Sequence, residues 1–142
     1  MSGFLLDTNI LSELLRPRPD ARVTGWIDRT DESLLHISVL TVGEIRKGIA
    51  SLASSARRAQ LEAWLENELR PRFAGCVLPV DEAVALRWGS LAGQAAAKGQ
   101  PVPVIAGLLA ATALHHDLTL VTRNITDVAP TGVFAFSPWN LR

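Results

Sequence analysis

The chain has 142 residues, and its 14 lysines and arginines balance 14 aspartates and glutamates, giving a formal net charge of zero. This length fits one globular domain, and 48% hydrophobic with 20% charged residues excludes an intrinsically disordered chain. The charge balance excludes a polybasic arm or an acidic tail as the main working part, but not a local cluster of charge. The 12 arginines and 2 lysines weakly favour contacts with carboxylate or phosphate, although GC-rich coding produces the same ratio.

A single cysteine, Cys76, excludes an intramolecular disulfide framework and a cysteine-based metal site. It lies in the apolar run 76–80 and is predicted to be a small core residue. The first residues lack the basic segment of a signal peptide, and no apolar stretch is long enough to span a bilayer. We therefore expect a protein of the reducing cytoplasm with no membrane association.

Short apolar runs alternate with longer helical patterns along the chain. The apolar runs predict strands at residues 3–6, 34–38, 76–80, 118–121 and 133–136. Helical periodicity predicts helices at about 8–15, 22–28, 39–52, 57–69, 84–95 and 105–114. This alternation indicates an α/β domain with a mostly parallel sheet of about five strands, flanked by helices on both faces.

Carboxylates follow the first two predicted strands, at the edge of the sheet where ligands of parallel α/β folds bind. Asp7 ends the first strand and is either a helix N-cap or a metal ligand; capping by Thr8 or Asn9 would free it for metal. Glu44 lies on an apolar turn after the second strand, where a carboxylate needs a cation or a hydrogen-bond donor. Thr41 and Glu44 also match a capping box, which is the structural alternative.

The segment after the fourth predicted strand adds two oxygen ligands, Asn124 and Asp127. By themselves they are typical of a turn followed by a helix cap. Together with Asp7 and Glu44 they form a set of hard oxygen donors, which suits Mg²⁺ or Mn²⁺.

Other chemistry finds little support in the sequence. His36, His115 and His116 have no partners at ligand spacing, and the tandem pair is interpreted as a helix C-terminal feature. The chain contains no Gly-x-Ser-x-Gly, P-loop or Gly-x-Gly-x-x-Gly motif, so acyl transfer and nucleotide-binding folds are disfavoured. A phosphoacceptor receiver domain is also disfavoured, because Lys47 and Lys98 do not lie near the strand ends.

Six segments of the chain resemble the PIN-domain ribonucleases, specifically the VapC/FitB-type toxins of bacterial toxin–antitoxin pairs. They include FLLDTNILSEL with the following RP, IS-x-x-TVGEIR-x-G, GLLAATAL and LTLVTRN, and they cover almost the whole chain in the family's order. The resemblance implies a PIN-like three-layer sandwich, with one domain over residues 1–142. It also implies a quartet of acidic positions that hold one or two divalent ions and cleave RNA phosphodiester bonds.

The acidic positions of the family are carried over residue by residue. Asp7 and Glu44 match the first two positions, Asn124 matches the fourth, and Asp127 is a nearby acid that other members use. The resemblance therefore implies catalysis by these four residues and Mg²⁺ or Mn²⁺ binding by Asp7, Glu44 and Asn124. The supporting residues implied beside them are Thr8, Asn9 and Thr122.

The third acidic position departs from the family pattern. Members have aspartate in Pro-x-x-Asp-Gly-Leu-Ile-Ala-Ala-Thr, where this chain has Ala106. Ala106 marks either a naturally inactive member or an Asp→Ala change made to disable a toxic enzyme, and the intact flanks favour the second. We expect a metal-dependent endoribonuclease that cleaves poorly or not at all in this form. The alternative is a non-catalytic PIN-fold module that only binds a protein partner.

The resemblance also implies partners. These are a VapB/FitA-like antitoxin whose C-terminal segment covers the acidic groove, an RNA substrate, a homodimer within a larger toxin–antitoxin complex, and promoter DNA bound only through the antitoxin. Arg16, Arg46 and Arg123 lie near the motif segments, where we expect them to hold phosphates around the site.

Overall fold

A parallel sheet of five strands organises residues 3–142, the part of the chain that this computed structural model describes. The strands are β1 (Phe4–Leu6), β2 (Leu35–Ser38), β3 (Val77–Leu78), β4 (Thr119–Val121) and β5 (Ala135–Phe136). Their order is β3-β2-β1-β4-β5, and every pairing is parallel. The predicted fold class is confirmed; Met1 and Ser2, which the predicted domain 1–142 includes, lie outside the described residues.

Helices connect successive strands. They are α1 (Thr8–Leu14), α2 (Ala21–Arg29), α3 (Val39–Ala50), α4 (Ala56–Trp64), α5 (Arg70–Arg72), α6 (Glu82–Ala97), α7 (Val104–His115) and α8 (Ile125–Val128). Short 3₁₀ turns lie at Glu32–Leu34, Ala129–Thr131 and Pro138–Asn140. No helix among the described residues is both long and apolar enough to cross a bilayer.

Neighbouring residues of the central strand face two different cores, since side chains alternate along a strand. Leu6 packs into a cluster with Ile10 and Val23, from α1 and α2. Leu5 packs into a second cluster with Leu109 and Ala110 of α7. Both faces of the sheet are therefore covered by helices, which makes the fold the predicted three-layer sandwich.

The predicted helix 57–69 is not a regular α-helix throughout. After α4, a π-helical turn occupies Leu65–Leu69, where the N–H of Arg70 donates to the carbonyl of Leu65. Pro71 explains the wider turn, because its ring would clash with the carbonyl four residues earlier and it has no N–H to donate.

The two edge strands are shorter than the apolar runs that predict them. Pro79, which has no N–H for a ladder, follows β3 directly, and Phe134 before β5 is 81% exposed. Cys76, predicted to lie in the core, is only half-buried at the core boundary. β3 is separated from β1 by β2, whereas β5 pairs directly with β4, and the carboxyl ends of β1 and β4 carry the candidate site.

Candidate active site

The carboxyl ends of the two central strands place the first site residues side by side. β1 and β4 pair from Phe4 and Thr119 to Leu6 and Val121, and the N–H of Asp7 then donates to the carbonyl of Val121 at 2.9 Å. Asp7 and Thr122 therefore lie side by side, each directly after the end of its strand. A cavity of about 550 Å³ opens at this point, lined among others by Asp7, Glu44, Ala106 and Asn124.

Asp7 is held by donors on both carboxylate oxygens. Oδ1 accepts from the N–H of Thr8 at 2.6 Å, which makes Asp7 itself the N-cap of α1. Oδ2 accepts from Oγ1 of Thr122 at 2.8 Å and from Nδ2 of Asn9 at 3.3 Å. The N-cap alternative for Asp7 is therefore confirmed, and neither Thr8 nor Asn9 takes its place as the cap, because the Asp7 side chain is the one that reaches the first free N–H.

The environment of Asp7 disfavours its negative charge. Burial raises the pKa of Asp7 above its ordinary value, and the hydrogen bonds from Thr122 and the Thr8 N–H offset only part of this effect. The negative charges of Glu44 and Asp127 raise the pKa further. A cation at this point would relieve both the desolvation and the repulsion.

Glu44 reaches the site from the second turn of α3. The helix is capped by Ser38, whose hydroxyl accepts from the N–H of Leu40 at 3.0 Å, and Thr41 is buried inside the helix. The capping-box alternative is therefore wrong. Glu44 is half-buried, and its Oε1 accepts from Oγ1 of Thr8 at 2.6 Å.

Asn124 and Asp127, predicted to act together, occupy different positions. Asn124 precedes α8 and lines the cavity, but its side chain makes no capping hydrogen bond; its N–H donates to Oγ1 of Thr122 at 3.1 Å. Asp127 is exposed and does not line the cavity, although its charge acts on Asp7. The structure therefore brings Asp7, Glu44 and Asn124 to one cavity and leaves Asp127 outside it.

Ala106 lies in the first turn of α7 and is half-buried on the wall of the same cavity. Ala106 also packs against the second core cluster, which contains Leu5 and Leu109. The next residue, Gly107, is fixed by close packing, because an added Cβ would lie 3.0 Å from Nε1 of Trp88. Position 106 therefore borders the same cavity as the two carboxylates, and alanine presents only a methyl group there.

One buried carboxylate of the cavity wall is absent from the sequence-based site. Glu13 is only 5% exposed, and its Oε2 accepts from the N–H of Asp20 at 3.0 Å. Its Oε1 lies 3.4 Å from Nη1 of Arg16, which also lines the cavity. Helical spacing is the signal that could have found Glu13, since Asn9 and Glu13 are four residues apart on one face of α1, whereas Arg16 follows the end of that helix.

Arg46, predicted to lie with the phosphate-binding arginines, does not line the cavity. It extends outward from α3, and its Nη1 lies 3.5 Å from Oε2 of Glu62 on α4. Arg123, by contrast, does line the cavity, next to Asn124.

The cavity offers oxygen ligands from Asp7, Glu44 and Asn124, which are the kind of ligand that a divalent ion such as Mg²⁺ binds. Within residues 3–142 no three histidine, cysteine or acidic side chains are grouped so as to hold a metal by themselves. Mg²⁺ is nevertheless often bound by one or two carboxylates, with water completing its shell. Asp7 and Glu44, which line one cavity, fit an ion of this kind.

Comparisons with known proteins identify the family of the chain. The PIN domain family model matches residues 4–126. The chain is 38% identical over 136 residues to Toxin FitB of Neisseria gonorrhoeae, covering 96% of this chain and 98% of that protein. It is 36% identical over 135 residues to the VapC ribonuclease Y4jK of Sinorhizobium fredii, covering 95% and 96%.

Solved structures give the same result. The structure of FitAB bound to an IR36 DNA fragment contains a chain that matches with a TM-score of 0.94 at 37% identity, covering 98% of this chain and 97% of that one. The crystal structure of FitAcB from Neisseria gonorrhoeae matches with a TM-score of 0.94 at 38% identity, covering 97% and 99%. The chain therefore belongs to the PIN-domain family, in the group that contains the FitB and VapC proteins.

Proposed function

We propose that this chain is the toxin of a type II toxin–antitoxin pair, a single PIN domain over residues 1–142 built for Mg²⁺-dependent cleavage of RNA. One observation carries the proposal: position 106 shares a cavity with Asp7 and Glu44. The family resemblance implies a third acidic side chain at position 106, and the alanine would leave such a site incomplete.

Asp7, Glu44 and the oxygen of Asn124 would hold Mg²⁺, or Mn²⁺ as the alternative ion. The ion would supply charge neutralisation at the scissile phosphate and a water of lowered pKa as nucleophile. Glu44 is suited to this role because its Oε2 has no hydrogen-bond partner in the described chain. Asp127 would contribute through its charge, since it lies outside the cavity.

Three neighbouring side chains orient the carboxylates. Thr8 donates its hydroxyl to Glu44 and its N–H to Asp7, so one residue links the two acids. Thr122 is 1% exposed, and it fixes the rotation of the Asp7 carboxylate from the opposite side. Asn9 donates to both Asp7 and Thr122, at 3.3 and 3.4 Å. Catalytic groups fixed in this way need little reorganisation when a substrate binds.

The proposal includes partners and a location. The FitB relatives were solved as FitAB and FitAcB assemblies, one of them on DNA. We therefore propose a VapB/FitA-like antitoxin for this chain, a homodimer within a larger complex, promoter DNA bound only through the antitoxin, and action in the cytoplasm. A cationic side chain of the antitoxin would suit the Asp7 and Glu44 carboxylates when no metal is bound.

The test restores the third acid. Ala106→Asp is expected to cleave single-stranded RNA with Mg²⁺ at least about a hundredfold faster than the parent chain, because a third carboxylate would help to hold the ion that stabilises the transition state. The matched control is Ala106→Asn, which has the same size and no charge. A second control combines Ala106→Asp with Asp7→Ala and should be inactive.

Metal binding gives an independent measurement. Thermal unfolding of Ala106→Asp should shift upward with Mg²⁺ by several degrees more than that of Ala106→Asn, since a ligand that binds only the folded state stabilises it. If Ala106→Asp neither cleaves RNA nor responds to Mg²⁺, the nuclease proposal is wrong. The second candidate, a non-catalytic module that only binds a protein, would then be favoured by Ala106 itself.

A further inference from the structure

Two arginines line the cavity beside Asp7, and they differ in their partners. Arg16 lies 3.4 Å from the buried carboxylate of Glu13 and is therefore already neutralised. Arg123 is exposed and has no carboxylate within 4.0 Å among the described residues. The charge of Arg123 helps to lower the pKa of Asp20. The Asp20 carboxylate is nevertheless paired with Arg22, from which it accepts hydrogen bonds at 3.0 and 2.7 Å.

Arg123 is held in place although it carries no ion pair. Its guanidinium carbon lies 5.0 Å from the ring centroid of Trp139, within the range of a cation–π interaction. Trp139 belongs to the core cluster and is only 7% exposed, so the ring is a fixed support. The N–H of Arg123 also donates to Oδ1 of Asn9 at 3.3 Å, which ties the backbone to the Asp7 network.

We propose that Arg123, supported by Trp139, is a phosphate-binding residue that holds the RNA backbone next to the scissile phosphate; this inference rests on the proposed function. A guanidinium offers five N–H donors in a planar arrangement that matches phosphate oxygens. Because the ring already fixes its plane, little side-chain entropy is lost when an anion binds.

The charges of the cavity explain why such a residue is needed. Asp7 and Glu44 repel a polyanion, and a bound divalent ion balances them only at the cleavage point. A cation on the cavity wall that is not paired with a protein carboxylate can bind a phosphate of the RNA strand beside the cleavage point. Trp139 is too buried to stack a nucleobase, so the wall offers contacts to phosphate rather than to a base.

The test measures RNA binding directly, with the chain as it stands. The probes are fluorescein-labelled single-stranded RNA 12-mers, one of uridines and one of mixed sequence, titrated by fluorescence anisotropy with Mg²⁺ at several KCl concentrations. Arg123→Gln should weaken Kd about tenfold on both probes, since it removes one charge-assisted contact. It should also reduce the slope of log K against log salt by about 0.7, the value for one phosphate on a single strand.

Two further variants provide matched comparisons. Arg87→Gln removes an arginine that is also exposed and has no ion pair within residues 3–142, but it lies on α6, outside the cavity, and its loss should change Kd less than twofold. Arg123→Lys keeps the charge but loses the planar donor arrangement, so its Kd should fall between those of the parent and Arg123→Gln. In the Ala106→Asp background, Arg123→Gln should raise KM and leave kcat within about twofold.

The outcomes separate this inference from the nuclease proposal. Equal effects of Arg123→Gln and Arg87→Gln, or no RNA binding by any variant, would overturn it. A loss confined to one probe would also overturn it, because that would mean base recognition. If Ala106→Asp binds RNA through Arg123 and does not cut it, the nuclease proposal fails and the phosphate contact stands.

Discussion

Removal of the Thr122 hydroxyl tests directly how the Asp7 carboxylate is stabilised in the fold. Thr122→Val keeps the shape of a side chain that is 1% exposed and deletes the 2.8 Å hydrogen bond to the Asp7 carboxylate. It also removes the acceptor of the Asn124 N–H at 3.1 Å. The change therefore tests whether the native fold needs this hydroxyl to keep a buried carboxylate ionised.

The expected loss follows from the contacts. A hydrogen bond to a charged group contributes about 1.5–3 kcal/mol, and the open cavity lets water replace part of it, so we expect a loss of about 2 kcal/mol in the free energy of unfolding at neutral pH. The matched control is Thr112→Val in α7, whose buried hydroxyl donates to the carbonyl of Leu108 at 2.8 Å. That acceptor is uncharged, so the control should lose about 0.5–1 kcal/mol.

The pH dependence has a definite sign. Because the folded-state pKa of Asp7 is raised above its ordinary value of 3.8, ionising Asp7 costs stability at neutral pH. This cost disappears as the pH falls through the folded-state pKa towards 3.8. Loss of the Thr122 hydroxyl raises that pKa further, so the penalty of Thr122→Val should be largest at neutral pH and shrink in this acidic window.

Urea unfolding followed by tryptophan fluorescence between pH 4 and pH 8 measures these differences. Thr112→Val should show a loss that is nearly constant over this range. The reasoning is refuted if Thr122→Val lowers the free energy of unfolding by no more than the control does at pH 7. It is also refuted if the loss caused by Thr122→Val is not smaller at acidic pH than at neutral pH.

Four other substitutions, two at or beside the cavity and two matched controls away from it, are each measured by urea unfolding. Gly107→Ala places a Cβ 3.0 Å from Nε1 of Trp88 and should lower stability by about 1–3 kcal/mol. Gly93→Ala, with nothing within 4 Å of its added Cβ in α6, should instead raise stability by about 0.5–1 kcal/mol, and equal effects of the two would contradict the packing argument. Glu13→Ala leaves a backbone N–H without its acceptor and should cost about 1–2 kcal/mol. Glu66→Ala breaks only an exposed ion pair and should cost less than about 0.5 kcal/mol; a larger loss than that of Glu13→Ala would be unexpected.

Local sequence patterns predicted much of the site. The apolar run before Asp7 and the helical pattern after it placed this carboxylate at the end of a strand, where the structure has it. Capping was less predictable: the sequence allows Thr8, Asn9 and Asp7 as caps of α1, and only the backbone geometry selects Asp7. The same holds for α3, where Ser38 rather than Thr41 is the cap.

The sequence alone does not show which arginines near the motifs lie at the cavity and are available to bind phosphate. Arg16, Arg46 and Arg123 are equivalent in the sequence, since each adjoins a motif. In the structure Arg46 pairs with Glu62 of α4, and Arg16 pairs with Glu13. Arg123 instead makes a cation–π contact with Trp139. These differences depend on contacts between elements far apart in the chain, and no local pattern encodes them.

The sequence by itself determined the alternation of strands and helices, the parallel sheet, and the carboxylates at the strand ends, because periodicity and turn chemistry act over a few residues. The tertiary structure decided which of those side chains share a cavity. Pairing of β1 with β4 brings Thr122 to Asp7 across 115 positions. The packing of α7 places Ala106 on the wall of the cavity that Asp7 and Glu44 also line.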